Sequence, residues 1–293
     1  MAGPTAIGKT ALAIQLAQHY TTEIISADSR QFYRELNIGV AKPSTDELSA
    51  APHHCIGHIG IQQHYTAGDF ERETLQLLNS LYTKHDVVIL VGGSGLFINA
   101  LLNGLDDLPS DERIREELNL RYQNEGLELL AQQLRELDEE CYNTMDTNNP
   151  RRVIRALEIC LASGQKASAL RNNASASRKF TPIKIALNTN RETLYQRINK
   201  RVDEMMAIGL EDEVKNLLPY KELNALQTVG YKELFDYFDG NTSLKQAIEL
   251  IQQHTRNYAK RQLTWFRKDS DYTWFTPDDL KGVIDYIDSS IQK

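Results

Sequence analysis

The residues best suited to chemistry form a phosphate-loop pattern, in which Gly3 and Gly8 are followed directly by Lys9 and Thr10. Glycines let the backbone curl so that successive N–H groups face an anion, and the lysine adds a full positive charge. The threonine hydroxyl can hold Mg²⁺. The pattern predicts a site for a phosphate or diphosphate made by Gly3, Pro4, Thr5, Ala6, Ile7, Gly8, Lys9 and Thr10, with Thr10 as the metal ligand.

Asp28 is a second candidate for chemistry, because it stands where the predicted strand 23–27 ends. Residues at the carboxyl ends of strands in an open α/β sheet face the ligand crevice. The carboxylate could act as a general base, bind Mg²⁺, or cap the start of a helix. Position alone leaves these three alternatives open.

Basic residues are clustered near the end of a chain whose net charge is −7. Residues 254–268 contain five basic side chains and no acidic one, interleaved with Tyr258, Trp265 and Phe266. Such a segment suits contacts with a phosphate backbone and stacking on bases. Favourable interaction of cations with a helix C-terminus is the simpler explanation for two of them.

Apolar spacing predicts an α/β fold that would position these groups. Helical spacing follows the phosphate loop, and strands are predicted at 23–27, 87–91 and 183–187. The apolar run 87–91 is typical of a strand buried on both faces of a parallel sheet. It is followed by Gly92-Gly93-Ser94-Gly95 and not by the acidic Mg²⁺ ligand of an NTP-hydrolysing enzyme, which argues against that class.

Helical patterns dominate the rest of the sequence. Helices are predicted at 70–82, at 191–208 and at about 243–268, and a further one begins at Asn149-Pro150. From Pro109 the pattern is wholly helical, and residues three and four apart form a helix-packing seam. We expect a mobile basic loop over 163–179. The seam residues are Leu127, Leu130, Leu134, Leu137 and Cys141.

A group of histidines near residue 55 matches no zinc-finger or zinc-ribbon spacing, so a structural or loop role is predicted for it. Residues 56–61 alternate in polarity, which predicts a strand there. The remaining cysteines are widely spaced, which indicates packing residues in a reducing compartment. The group comprises His53, His54, Cys55, His58 and His64.

A phosphate loop normally follows a buried strand, but only Met1 and Ala2 precede this one. We therefore expect either a start that lies further upstream or a sheet without its first core strand. A chain lacking that strand should melt at a lower temperature than an upstream extension of it. The sequence carries neither a signal peptide nor an apolar run of about 18 residues, so we expect a cytoplasmic protein with no membrane partner.

Several sequence blocks in the same order resemble the tRNA dimethylallyltransferases, also called tRNA isopentenyltransferases. The resemblance extends over nearly the whole chain, and it includes the helix that carries Arg197 and Arg201. Many members of that family have threonine where Ser94 stands, and serine retains the hydroxyl. The matching blocks are GPTAIGKT (3–10), ISADSRQFYRELNIGVAKP (25–43), VGGSGLFINALLNGL (91–105), NPRRVIRALEI (149–159), VGYKEL (229–234) and TRNYAKRQLTWFRK (255–268).

The resemblance implies a phosphate-loop parallel-sheet core flanked by helices, made of residues 1–108 and 179–293, with an all-helical insertion at 109–178. It implies transfer of a dimethylallyl group from dimethylallyl diphosphate to the exocyclic amine of the adenosine directly 3′ of a tRNA anticodon, with Mg²⁺ as cofactor. The anticodon stem-loop would lie between insertion and core. We expect a monomer.

The resemblance also implies roles for individual residues. Asp28 would accept the proton of the adenine amine, Arg201 would contact the departing diphosphate, and Thr5 would act with the phosphate loop. Expected tRNA contacts, including those suggested by the basic segment 254–268, are Asp28, Ser29, Arg30, Gln31, Ser94, Arg115, Arg151, Arg152, Val153, Ile154, Arg155, Gly230, Tyr231, Lys232, Arg256, Lys260 and Arg261.

Two other functions remain as alternatives. One is a phosphate-loop kinase or NTPase that binds ATP and acts on a small molecule; ATP turnover without a prenyl donor would support it. The other is a catalytically impaired RNA-binding relative, which would bind tRNA without forming product.

Overall fold

A computed structural model describes residues 1–171 and 176–292 of the chain. These residues divide into two compact units. The sequence predicted an insertion at 109–178. The first unit comprises Met1–Leu102 and the chain from Arg178 onward, and it contains the phosphate loop. The second unit, Asn103–Ser177, is helical.

The first unit is built on a parallel sheet. Strand β1 pairs with both β2 and β3, and β4 pairs with β5, in each case in parallel. Ala2 forms parallel bridges to Gly92 and to Ala186, which join β3 to β4. The strands are β1 (Ile24–Ala27), β2 (His53–His54), β3 (Ile89–Gly92), β4 (Ile185–Leu187) and β5 (Thr273–Phe275).

Met1 and Ala2 occupy the place in the sheet where the phosphate loop's own strand is expected. The Ala2 N–H donates to Ile185 O at 2.7 Å, and the Leu187 N–H donates to Ala2 O at 2.9 Å. On the other side, the Gly92 N–H donates to Met1 O at 3.2 Å. No strand is assigned within the described residues 1–8, yet this short segment keeps the sheet continuous and delivers the loop to its carboxyl edge.

Helices cover both faces of the sheet. Along β1, Ile25 and Ala27 belong to one buried cluster and Ile24 to the other, as the alternation of side chains along a strand requires. The predicted fold class, a parallel sheet flanked by helices, is confirmed. The helices are α1 (Lys9–His19), α2 (Thr45–Ala50), α3 (Ala67–Leu81), α4 (Gly95–Asn103), α5 (Glu112–Glu125), α6 (Leu127–Leu137), α7 (Glu139–Thr144), α8 (Pro150–Ser163), α9 (Ala167–Leu170), α10 (Arg191–Ala207), α11 (Leu210–Asn216), α12 (Tyr231–Phe238), α13 (Leu244–Phe266) and α14 (Leu280–Ile291).

Three of the predicted elements differ from the structure. The strand predicted at 56–61 is wrong, because β2 ends before it at His54, and within 56–61 only Ile59 forms a bridge, to Tyr33. The seam predicted from Leu127 to Cys141 is divided into α6 and α7, because the Asp138 side chain accepts the Cys141 N–H and caps α7. The predicted loop 163–179 contains α9, and its residues 172–175 lie outside the described part of the chain.

Candidate active site

The phosphate loop leads directly into α1. Gly8 has φ 104°, a left-handed conformation that favours glycine, and it stands at the N-terminus of the helix. None of the described side chains caps this end of the helix, so its first N–H groups are left for an anion. The Lys9 ammonium folds over the loop and donates to Gly3 O at 3.0 Å and to Pro4 O at 2.7 Å.

Lys9, Asp28 and Arg201 form one electrostatic group at the carboxyl edge of the sheet. Burial lowers the pKa of Lys9 to about 8; the Asp28 carboxylate opposes this shift and the Arg201 guanidinium adds to it. Burial likewise lowers the pKa of Arg201, and Asp28 again opposes the shift. The fold thus brings together two partly buried cations and the carboxylate that the sequence singled out.

Asp28 begins a turn and does not cap a helix, since its Oδ1 accepts the Arg30 N–H at 3.0 Å and the following residues are non-helical. The helix-cap alternative for Asp28 is therefore wrong. Next to it, the Ser29 N–H donates to Ser94 Oγ at 3.0 Å, and the Ser94 hydroxyl donates to Ser29 Oγ at 3.2 Å. Ser94 thereby ties the end of β3 to the end of β1.

Two residues of α13 belong to this site although the sequence did not single them out for it. Tyr258 is hydrogen-bonded to Ser94, and burial, together with the charge of Asp28, raises the pKa of Tyr258 to about 12. Gln262 bonds to the phosphate loop through the Thr5 N–H, 2.9 Å from its Oε1. Helical spacing from Tyr258 to Gln262 places both on one face of the helix, and this was the signal available in the sequence.

Arg30 and Gln31, two expected RNA contacts, support neighbouring loops. Arg30 donates from one guanidinium nitrogen to Asn224 O at 2.9 Å and to Ala225 O at 3.1 Å. The Gln31 amide donates to Ala41 O at 3.0 Å and accepts from the Ser26 hydroxyl at 3.1 Å. These contacts account for both side chains within the protein.

Tyr231 was predicted to contact RNA; its side chain is fully buried, so the ring does not face solvent, and a contact through this turn stays a prediction. Its hydroxyl donates to Glu213 Oε1 at 2.6 Å. The Gly230 N–H is also used within the protein and donates to Glu233 Oε2 at 2.8 Å. Lys232 is exposed at the same turn, and it alone of the three presents a side chain to solvent.

In the second unit, Val153 and Ile154 are buried in the helical core, at 0% and 6% exposure, so their side chains do not face solvent, and the RNA contacts expected of these residues stay predictions. Arg115 Nη2 lies 2.8 Å from Glu158 Oε1, and Arg155 Nη1 lies 3.0 Å from Glu158 Oε2. Both arginines thus compensate a carboxylate with no exposed surface. Arg151 and Arg152 are exposed.

The exposed face of α13 forms a basic surface, and we define it by the residues that line a cavity of about 380 Å³ along the helix. The Trp265 ring is 44% exposed and lies against Gly95, where an added Cβ would come within 2.2 Å of its Nε1. Arg256 lies outside this surface, because it donates to Asn199 Oδ1 at 2.6 Å. The lining residues are Asn257, Lys260, Arg261, Thr264, Trp265 and Lys268.

The histidines near residue 55 are not arranged around a metal. His54 Nε2 lies 2.6 Å from Glu23 Oε2, and His85 Nε2 lies 3.3 Å from Glu23 Oε1. Over residues 1–171 and 176–292, no group of three or more His, Cys, Asp or Glu side chains could hold a metal ion. Across the same residues, no helix combines the length and the apolar character needed to cross a membrane.

Comparison with known families identifies the chain. The sequence profile of the IPP transferase family matches residues 31–269. The chain belongs to the IPP transferase family. Two relatives illustrate the match. The tRNA dimethylallyltransferase of Christiangramia forsetii is 53% identical over 291 residues, covering 99% of this chain and 96% of the relative. tRNA dimethylallyltransferase 1 of Bacteroides thetaiotaomicron is 45% identical over 286 residues, covering 97% and 93%.

Solved structures of IPP transferases share the fold. The tRNA isopentenylpyrophosphate transferase of Bacillus halodurans superimposes with a TM-score of 0.73 at 34% identity, covering 99% of this chain and 95% of that one. A eukaryotic dimethylallyltransferase acting on tRNA gives a TM-score of 0.76 at 27% identity, covering 96% of this chain and 73% of that one. The family resemblance inferred from the sequence blocks is confirmed.

Proposed function

We propose that this protein is a tRNA dimethylallyltransferase, which moves the dimethylallyl group of dimethylallyl diphosphate to the N6 amine of the adenosine directly 3′ of the anticodon. The observation that carries this proposal is the grouping of the partly buried Lys9 and Arg201 with Asp28 at one sheet edge. The cations suit a diphosphate leaving group, and the carboxylate suits an adjacent nucleophile. The names of the relatives support the same activity.

The reaction forms a C–N bond and breaks the bond between the dimethylallyl carbon and the diphosphate oxygen. Asp28 accepts the proton of the adenine amine as the new bond forms, and general base catalysis of this kind contributes about 10²–10⁴-fold. Negative charge grows on the departing diphosphate. Lys9, Arg201 and the N–H groups of the phosphate loop stabilise that charge because they are already in place before the reaction.

Mg²⁺ fits this site as a partner of the diphosphate. The ion takes oxygen ligands, keeps several waters, and is commonly held by one or two protein groups together with substrate phosphates. Thr10 is half-buried in the first turn of α1 and offers one hydroxyl oxygen, and this donor set suits such an ion. When bound, Mg²⁺ would supply additional positive charge to the diphosphate.

The exposed cations of α13 and its exposed Trp265 suit a tRNA substrate. Lys260 and Arg261 carry positive charge to solvent, although the whole chain has a net charge of −7. Phosphate contacts of this kind give affinity without regard to sequence, and an aromatic face accepts any base. The target adenosine must leave its stack to reach Asp28 in the crevice.

One chain contributes all the residues placed in this site, so a monomer is sufficient for the reaction. Cys55, Cys141 and Cys160 are free thiols, which suits the reducing cytoplasm. We therefore infer a cytoplasmic monomer. Light scattering of the purified protein with and without tRNA tests the oligomeric state, and a stable dimer would contradict it.

The experiment is a prenyl-transfer assay with dimethylallyl diphosphate, Mg²⁺ and an anticodon stem-loop that carries three consecutive adenosines. Wild type should add one dimethylallyl unit to the RNA, detected by mass. Asp28→Asn keeps the shape and an oxygen for the Arg30 N–H but removes the base, so product formation should fall by about 10²–10⁴-fold. Asp212→Asn, at an exposed position on α11, is the matched control.

The same assay distinguishes the alternatives. ATP turnover without the prenyl donor would favour a kinase or NTPase, and RNA binding with no mass gain in the wild type would favour a catalytically impaired relative. Equal product from wild type and Asp28→Asn would remove Asp28 from the role of base.

A further inference from the structure

Gln262 occupies a buried position between two loops of the site, with 6% of its surface exposed. Its Oε1 accepts the Thr5 N–H at 2.9 Å, and its Nε2 donates to Gly93 O at 2.9 Å. A Cβ added at Gly93 would come within 2.2 Å of the Gln262 Nε2, so the loop after β3 passes this amide without space for a side chain.

The two bonds suit a side-chain amide at this place. The amide presents an acceptor and a donor on the same planar group at every pH, as Thr5 N–H and Gly93 O demand. A carboxylate could accept from Thr5, but it would face Gly93 O with another acceptor. Alanine would leave a buried N–H and a buried C=O unpaired, which is costly.

Each loop held by Gln262 belongs to a different side of the reaction. Thr5 lies in the phosphate loop, on the side of the leaving diphosphate. Gly93 precedes Ser94, which accepts the Ser29 N–H beside Asp28 and so lies on the side of the base. One amide from α13 therefore connects the anion site to the turn that carries the carboxylate.

We propose that Gln262 is a positioning residue, which fixes the phosphate loop against the Gly93-Ser94 turn and thereby aligns the diphosphate with the Asp28 carboxylate. The proposal rests on the proposed prenyl transfer. Alignment of reacting groups is steeply sensitive to distance, since a misplacement of about 1 Å costs about 10²-fold in rate. Loss of the amide should therefore lower kcat far more than it alters binding of the RNA.

The test compares Gln262→Ala and Gln262→Glu with wild type and with Gln253→Ala, an exposed glutamine on the same helix. A first readout needs no turnover: hydrogen exchange of the peptide spanning residues 3–10, and the Kd of inorganic diphosphate by calorimetry. In Gln262→Ala the Thr5 amide should exchange faster, and diphosphate should bind about tenfold more weakly, a factor set by loss of one oriented bond. Gln253→Ala should match wild type.

The second readout is kinetic. Gln262→Ala should lower kcat by about 10²-fold while leaving the KM for the stem-loop within about twofold of wild type. In Gln262→Glu, the protonated carboxyl can donate to Gly93 O and accept from Thr5, whereas the carboxylate cannot donate. The kcat of Gln262→Glu relative to wild type should therefore rise as the pH falls from about 8.5 to about 6.

A folded Gln262→Ala with wild-type kcat and wild-type exchange at residues 3–10 would overturn the proposal. So would a pH-independent ratio for Gln262→Glu. If Gln262→Ala does not fold, the Glu variant decides, because its two protonation states are compared within one protein. A wild type that binds diphosphate but never transfers the prenyl group would refute the proposed function, while the exchange and calorimetric results would still decide whether Gln262 orders the loop.

Discussion

The Tyr231 hydroxyl donates a 2.6 Å hydrogen bond to Glu213 Oε1, and that carboxylate also accepts three consecutive backbone N–H groups, from Asn37, Ile38 and Gly39. The tyrosine ring lies so close to the loop that a Cβ added at Gly39 would be 2.6 Å from it. One glutamate thus fastens the loop after the Asp28 turn to α11 and α12. These contacts connect the loop directly to both helices.

Tyr231→Phe should destabilise the first unit without disturbing its packing. The substitution keeps the ring volume and removes one donor from a half-buried acceptor, which costs about 1–2 kcal/mol in the free energy of unfolding. Urea denaturation followed by far-ultraviolet circular dichroism measures it. Tyr220→Phe, at a tyrosine that is 41% exposed, should change the free energy little. Equal midpoints for the two variants would contradict the role of the Tyr231–Glu213 bond.

Diphosphate binding should weaken as the pH rises through about 8. Burial lowers the pKa of Lys9 to about 8, so its ammonium charge is present below this pH and is lost above it. Diphosphate binds the charged lysine better, and affinity therefore falls on the alkaline side. Calorimetry of inorganic diphosphate between about pH 6.5 and 9.5 measures the slope.

Lys9→Arg provides the control for this pH dependence, because the guanidinium stays charged over the whole range. The variant should show only the pH dependence that comes from the ligand's own protonation. A slope identical to that of wild type would show that Lys9 does not titrate in the site.

The second unit should lose stability in acid through Glu158. Burial alone would raise the pKa of this carboxyl, but the hydrogen bonds from Arg115 and Arg155 outweigh it, and the pKa lies below its ordinary value of 4.5. A carboxyl whose folded pKa is lowered stabilises the fold above its ordinary pKa, and this contribution is lost as the pH falls through the folded value.

Glu158→Gln should therefore unfold at a lower urea concentration than wild type at pH 7. Its free energy of unfolding should be lower by about 1–3 kcal/mol, and this difference should shrink below about pH 4. Glu128→Gln, at an exposed position on α6, should behave like wild type at both pH values. A difference that stays constant into acid would contradict an ionised Glu158 in the folded state.

Local motifs allowed much of the site to be predicted from the sequence. The phosphate loop and Asp28 were predictable because each is defined by a few adjacent residues and by the strand or helix beside it. Predicted strands and helices coincide with β1, β4, α1, α3, α10 and α13 to within a few residues. The short strand β5 was missed, and three residues carry too little periodicity to indicate one.

Contacts between residues far apart in the chain could not be predicted. Gln262 lies 257 positions from Thr5, and Glu213 lies 175 positions from Ile38, so no spacing in the sequence links them. Arg155 was predicted to bind RNA, although Glu158 stands three residues later on the same helix face. The i, i+3 spacing could have predicted this ion pair, but only the burial of the Glu158 carboxylate shows that Arg155 is needed to compensate its charge.

Removal of the Trp265 ring should weaken RNA binding and leave the fold intact. The ring is 44% exposed beside Lys260 and Arg261, so it offers a face on which a base can stack, and such stacking contributes about 1–3 kcal/mol per base. Filter binding of the anticodon stem-loop should show that affinity loss for Trp265→Ala, whereas Ile208→Ala, at a side chain that is 68% exposed, should bind like wild type.

Lys260→Ala should instead reduce the slope of log K against log salt concentration by about 1, because it removes one phosphate contact. Trp265→Ala should leave that slope unchanged, and a slope altered by the tryptophan variant alone would contradict this division between stacking and charge.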